Sequence, residues 1–247
     1  MGQYITSRQN GRIQQLRKLL RSKKEREQAG LFVADGTKLL AEAVRWWPGL
    51  ETVFLTDGVQ ADVPDSVEVI RVSPEIMEYV SPMESPQGAL FVCRLPEQTG
   101  YVPAPGLLLD GIQDPGNLGT ILRTADALEI PVTLLEGCAD PYSHKVVRAS
   151  MGAVFRTPVI QSRWAAVKEA CAVAQIPVAV TALSDSAEDI RNADIGKMAV
   201  VIGSEGQGVR SEILDEAQRQ LIIPMNANCE SLNAAVAATI VMWQMKL

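Results

Sequence analysis

Histidine is nearly missing from this sequence, where His144 stands alone among 247 residues, and aromatic residues make up only 5%. The four cysteines, Cys93, Cys138, Cys171 and Cys229, lie far apart with no C-x-x-C pair. A zinc site needs clustered thiolate and imidazole ligands, and a disulfide framework needs densely spaced cysteines, so neither is expected and no metal is invoked. Long apolar runs are also lacking. The longest late one, Ala234 to Trp243, is interrupted by Thr239 and is too short to span a bilayer. The opening MGQYITSRQNGR is polar and lacks the charged, apolar, small-residue order of a secretory leader. The expectation is a soluble cytoplasmic protein without membrane contact. Absent too are the G-x-G-x-x-G fingerprint, the G-x-x-x-x-G-K-[ST] phosphate loop, the G-x-S-x-G elbow and H-E-x-x-H, which disfavours the enzyme classes built on them.

What is present is unevenly distributed. The net charge is −6, which by itself argues against a nucleic-acid partner. Yet residues 1–30 hold eight basic side chains (Arg8, Arg12, Arg17, Lys18, Arg21, Lys23, Lys24, Arg26) against Glu25 and Glu27, an excess of six positive charges that leaves −12 for the remainder. This describes a basic arm on an acidic body, or simply a solvated helix face. Ile13, Leu16, Leu19 and Leu20 recur at helical spacing and predict a helix anchored on one side.

Leu31-Phe-Val-Ala reads as a short buried strand, followed after Gly36 by an amphipathic helix through Leu39, Leu40, Ala43 and Val44. Further strands fit 52–56, 67–72 and 88–94. The PEQTGYVPAP stretch from Pro96 to Pro105 has three prolines and no apolar periodicity, as an interdomain connection does. The division is therefore a domain at 1–96, a linker at 97–106 and a domain at 107–247. In the second domain strands fit 107–110, 131–135, 177–182, 198–202 and 220–223, with helices near 117–128, 163–174 and 231–245. Buried strands alternating with helices predict an α/β fold with a largely parallel sheet, whose ligands bind at the carboxyl ends of the strands.

Three segments fall at those ends. In LLLDGIQDPGNLGTILRTADA, from Leu107, Asn117 is placed to start a helix that carries Arg123 one and a half turns later. Taken on its own, this segment is better explained by a capping Asn and a surface Arg. In VVIGSEGQGV, from Val200, Gly203, Gly206 and Gly208 let backbone approach a ligand, and Glu205 is either a site carboxylate or a helix-start residue. In IIPMNANCESLNAAVAATIVMWQM, from Ile222, Ser231 opens an alanine-rich helix so apolar that it must be buried. Cys229 reads as a small buried filler, and His144, outside all three segments, as a surface or structural residue.

Taken together the three segments resemble the SpoU/TrmH family of RNA ribose 2′-O-methyltransferases, within the SPOUT superfamily. The motifs match at DPGNLGTILRTADA, IGSEGQGV and IPMNANCESLNAAVA, and similarity continues through KVVRASMGAVFRTPV at 145–159. The first domain is similar to the family's L30e-like substrate-binding unit, with Asp35-Gly36 where the family has Glu-Gly and Gly11 where it has proline.

The resemblance implies a C-terminal α/β fold with a deep trefoil knot, S-adenosylmethionine as methyl donor, structured RNA as substrate and a homodimer. Ribosomal RNA is favoured over transfer RNA because of the extra L30e-like domain. It implies donor contacts from Gly203, Ile223, Met225 and Leu232, and catalytic or orienting roles for Asn117, Arg123, Glu205, Ser231 and Asn233. A guanidinium with a pKa above about 12 is a poor base, so the expected role of Arg123 is to grip the target phosphate and stabilise the developing alkoxide. A transfer-RNA enzyme, a non-catalytic RNA-binding module and a dinucleotide-dependent enzyme are the alternatives. Affinity for S-adenosylmethionine or for NAD separates the last from the rest.

Overall fold

The structure, a computed structural model, describes residues 4–97, 100–157, 159–184, 186–204, 206–226 and 228–247. After β1 (Tyr4–Ile5), the side chain of Asn10 accepts the Arg12 N–H at 2.9 Å and starts α1 (Gly11–Arg21). The predicted stripe of Ile13, Leu16, Leu19 and Leu20 is its buried face. Ser22 ends α1 in an extended conformation and caps α2 (Lys23–Ala29), so the basic segment is two helices. Next come β2 (Leu31–Asp35), α3 (Thr37–Trp46), β3 (Leu50–Leu55), β4 (Glu68–Val72), α4 (Pro74–Val80) and β5 (Ala89–Arg94).

These strands form a mixed sheet in the order β1-β4-β3-β5-β2, with β5 antiparallel to both its neighbours. Strand side chains alternate between faces, so each strand serves two cores. Val33, Phe54, Ile70, Val72, Leu90 and Val92 meet the apolar sides of α1 and α4. Phe32 and Phe91, between them, point the other way and are fully buried.

The C-terminal sheet begins with β6 (Gly106–Asp110), α5 (Pro115–Leu128) and β7 (Val132–Leu134). The chain then makes an excursion. Asp140–Arg156, with α6 (His144–Ala149) and α7 (Ala153–Arg156), belongs by its contacts to the N-terminal compact unit, which otherwise ends at Glu97. Its rings explain why. Tyr142 and Phe155 lie 5.1 and 6.3 Å from Phe32, and Phe155 lies 6.1 Å from Phe91, closing the sheet's second face with an aromatic cluster that includes Trp47. Asp140 meets the buried Arg26, whose Nε donates to Oδ2 at 2.9 Å.

The rest of the chain returns to the second unit as β8 (Ile160–Gln161), α8 (Trp164–Val173), β9 (Val178–Thr181), β10 (Glu188–Asp189), β11 (Ala199–Gly203), α9 (Ser211–Glu216), β12 (Arg219–Ile222) and α10 (Ala234–Met245). All pairings in this sheet are parallel, in the order β10-β12-β9-β11-β6-β7-β8. β6 is buried along its whole length because both faces are covered. Among the described residues no helix is long and apolar enough to cross a membrane.

Two helix starts differ from expectation. Asp114, not Asn117, caps α5, accepting the Asn117 N–H at 2.7 Å with Pro115 in the first turn, where its missing N–H costs nothing. Asn233, not Ser231, caps α10 through the N–H groups of Ala235 and Val236. Within a single chain α10 is buried on one side only, through Ala234, Ala235, Ala238, Val241 and Met242, while Val236 is 49% and Trp243 60% exposed.

Removing one partner of the Arg26–Asp140 pair leaves a buried charge unmatched. Arg26→Ala is expected to lower unfolding free energy by about 3–5 kcal/mol in urea titration, and a change below 1 kcal/mol would show the pair to be dispensable.

Candidate active site

A parallel sheet puts all its carboxyl ends on one edge, and register decides which residues meet there. Asp110 pairs with Gly203 at the ends of β6 and β11, and Thr181 pairs with Leu221 at the ends of β9 and β12. Above β9, β11 and β12 lies a cavity of about 690 Å³, within the size range of small-ligand sites. Its walls come from the turn after β9 (Thr181 to Ser184), the glycine loop after β11, Ile223 and Met225 after β12, and Glu230 to Leu232 with the first turn of α10.

The glycine loop owes its shape to close backbone approach. A Cβ on Gly203 would stand 2.0 Å from the Gly208 carbonyl carbon and 2.2 Å from the Val209 nitrogen. Gly208 has a φ of 67°, and its N–H and C=O exchange hydrogen bonds with Ser204 at 3.0 and 3.1 Å. The loop's far end is held by Asp110, a carboxylate only 2% exposed. Its Oδ2 accepts the backbone N–H of Arg210 at 2.9 Å and its Oδ1 accepts Arg210 Nε at 2.7 Å, while Arg210 Nη2 donates to Glu136 at 3.0 Å. Sequence reading missed Asp110 and Arg210 because a contact across 100 residues leaves no local signal.

The expected site residues fall into three groups. Gly203, Ile223, Met225, Leu232 and Ser231 all line the cavity. Asn233 sits between two lining residues, and its Nδ2 donates to Asn117 Oδ1 at 2.9 Å, joining the first turn of α5 to the cap of α10. Arg123 is exposed on α5, outside the lining, and Glu205 falls outside the described residues. Cys229 is exposed rather than buried, its thiol donating to the Ser231 carbonyl at 3.3 Å. His144 belongs to the N-terminal unit, where burial, outweighing its bond to the Leu20 carbonyl, lowers its pKa and favours the neutral ring. Among the described residues no cluster of His, Cys, Asp and Glu could hold a metal ion.

Comparison with known proteins is decisive. Residues 105–243 match the SpoU rRNA Methylase family, and residues 10–90 match the MRM3-like substrate binding domain. The 23S rRNA (guanosine(2553)-2′-O)-methyltransferase of Bacillus subtilis is 31% identical, covering 98% of both chains. The chain belongs to the SpoU rRNA methylase family. Another relative of this family, the 23S rRNA (uridine(2479)-2′-O)-methyltransferase of Streptomyces viridochromogenes, is 29% identical over 97% of this chain and 90% of its own. Among solved structures, the AdoMet-bound rRNA methyltransferase of Sinorhizobium meliloti superposes with a TM-score of 0.87 at 27% identity, covering 99% of this chain and 97% of that one.

The cavity fits the donor on its own terms. S-adenosylmethionine would need an apolar slot for adenine and open backbone for its edges, and the lining contains the apolar Ile223, Met225 and Leu232 and the side-chain-free Gly203 and Gly208.

Burial pushes the Glu136 carboxyl up, but its own N–H, the Arg210 guanidinium and the Trp164 N–H outweigh that and hold it below the ordinary 4.5. A depressed carboxylate stabilises the fold above its unfolded value and ceases to as the pH falls through its folded one. The stability advantage of wild type over Glu136→Gln, read from urea denaturation, is expected to be constant near neutrality and to vanish on acidification through the carboxylate range. An advantage that grows in acid contradicts this pairing.

Proposed function

We propose that this protein transfers a methyl group from S-adenosylmethionine to a ribose 2′-hydroxyl of ribosomal RNA in the cytoplasm. The hydrogen bond between Asn117 and Asn233 carries the reading, because it brings the first and third motif segments together beside a cavity the second segment completes. Both whole-length relatives cited above bear names for 2′-O-methylation of 23S rRNA, one at a guanosine and one at a uridine. The shared fold thus accompanies the chemistry, not one nucleotide.

When bound, the donor supplies an electrophilic methyl on a positively charged sulfur. The residues of this chain bind, align and neutralise. Gly203, Ile223, Met225 and Leu232 hold the donor, and Ser231 and Glu205 orient the reacting groups with the asparagine pair. A ribose hydroxyl is a weak nucleophile until its proton leaves, and alignment is worth much of the barrier. Arg123 grips the target phosphate and stabilises the developing alkoxide with its fork of donors, and a phosphate oxygen or water takes the proton.

Arg123 stands outside the cavity of its own chain, which agrees with a site completed by a second copy. The homodimer is part of the reading. α10, which packs on α5, carries Val236, Ile240 and Trp243 at helical spacing on its outer side, with Leu247 just beyond its end, and Val236, Trp243 and Leu247 are exposed. A second copy covers this stripe and brings an Arg123 to the interface.

Arg123→Ala is expected to lower kcat by about 10²–10³-fold without changing donor affinity. If Arg123→Lys keeps near-full activity, paired donation from one guanidinium is not its contribution. Mapping 2′-O-methylation across total RNA, with and without the protein, is expected to reveal a mark restored by wild type but not by Asn117→Ala. No lost mark anywhere would refute the activity. Trp243→Glu is expected to yield monomers in sedimentation equilibrium, and a dimer that survives it uses another face.

A further inference from the structure

The eight basic residues of the first thirty divide into two sets. Arg12 pairs with Glu68, Lys23 with Glu27 and Arg26 with Asp140. Among the described residues, Arg8, Arg17, Lys18, Arg21 and Lys24 make no ion pair. They are also neighbours. Arg17 and Lys18 stand four and three residues before Arg21 on α1, spacings that put side chains side by side, and Lys24 follows in the first turn of α2. Arg8 joins them through Tyr79. Its guanidinium carbon lies 4.6 Å from the centre of that ring and the Arg17 carbon 4.1 Å, while Arg17 also donates to the Tyr79 hydroxyl.

Two like charges on one ring, neither paired with a carboxylate, call for an anion. The aromatic face offsets part of their repulsion and fixes their geometry, so the pair is preformed. The stripe is rigidly mounted, because the opposite side of α1 is buried through Ile13, Leu16, Leu19 and Leu20. That same burial argues against a membrane. An interfacial helix needs an apolar face free to enter lipid, and every apolar side chain of α1 is committed to the core. The stripe offers donors and charge with no exposed ring for a base, the equipment for phosphate contacts that set affinity and register but not sequence.

We propose that Arg8, Arg17, Lys18, Arg21 and Lys24 form a phosphate-binding stripe by which the N-terminal unit holds the backbone of the substrate RNA irrespective of base sequence. This rests on the RNA-methylating activity proposed above and assigns part of its substrate affinity to a named surface. The acidic remainder of the chain repels a polyanion, so this stripe also determines where RNA first lands.

The test measures binding of full-length protein to a labelled RNA hairpin of arbitrary sequence across a series of salt concentrations. The triple variant Arg8→Gln/Arg17→Gln/Arg21→Gln is expected to bind at least about tenfold more weakly, and its plot of log affinity against log salt to be shallower by about two to three units. The corresponding triple Lys variant should keep most of the slope, and Lys38→Ala, on α3, all of it. Donor affinity and near-ultraviolet circular dichroism serve as controls for folding. Should the triple variant fail them, Lys18→Gln/Lys24→Gln, at two exposed positions, is expected to lose one to two units of slope. Wild-type affinity and slope in the folded variants would overturn the stripe and leave the methylation reading intact. Wild type that binds anionic vesicles but no RNA, and methylates none, would overturn both.

Discussion

The buried carboxylate of Asp110 is the fixed point of the catalytic unit. It sits where parallel order places the end of β6 against the end of β11, and it takes hold of the chain again at Arg210, just after the glycine loop has made its detour. Between those two anchors the loop has too little room for a Cβ at Gly203. Charge and shape therefore act together. The ion pair decides where the loop must return, and the missing side chain lets it return that tightly.

This arrangement also explains where the cavity lies. Strand order reverses between β6 and β11, the crevice in which open α/β sheets usually seat ligands. Here Arg210 reaches from Asp110 to Glu136 across the neighbouring strand ends. The cavity opens instead over β9, β11 and β12, on the other side of the glycine loop.

Much of this was legible in the sequence where one local rule governed. β6, β9 and β11 read correctly as strands because burial on both faces makes them continuous apolar runs. The two-residue strands β1, β8 and β10 are too short to show any period. Helix starts misled because Asp114 and Asn117, or Ser231 and Asn233, offer the same capping chemistry three or two residues apart. Pro115 was the overlooked cue in the first case. The all-apolar composition of α10 gave no hint of which side meets the sheet, and the exposed Trp243 and Val236 mark the other side only in three dimensions. Motif resemblance picked out Gly203, Ile223, Met225 and Leu232, all of which line the cavity. The walls from Thr181 to Ser184 and from Leu214 to Asp215 were not found this way, since strand adjacency is a property of the sheet.

The excursion of Asp140–Arg156 makes the two units inseparable as linear fragments. The polypeptide passes between them three times, so cutting within the proline-rich connection would not release an intact N-terminal piece. That piece would lack Tyr142 and Phe155 and bare the rings of Phe32 and Phe91 to solvent. Engineering that exchanges the N-terminal unit between relatives must therefore transplant two discontinuous stretches at once.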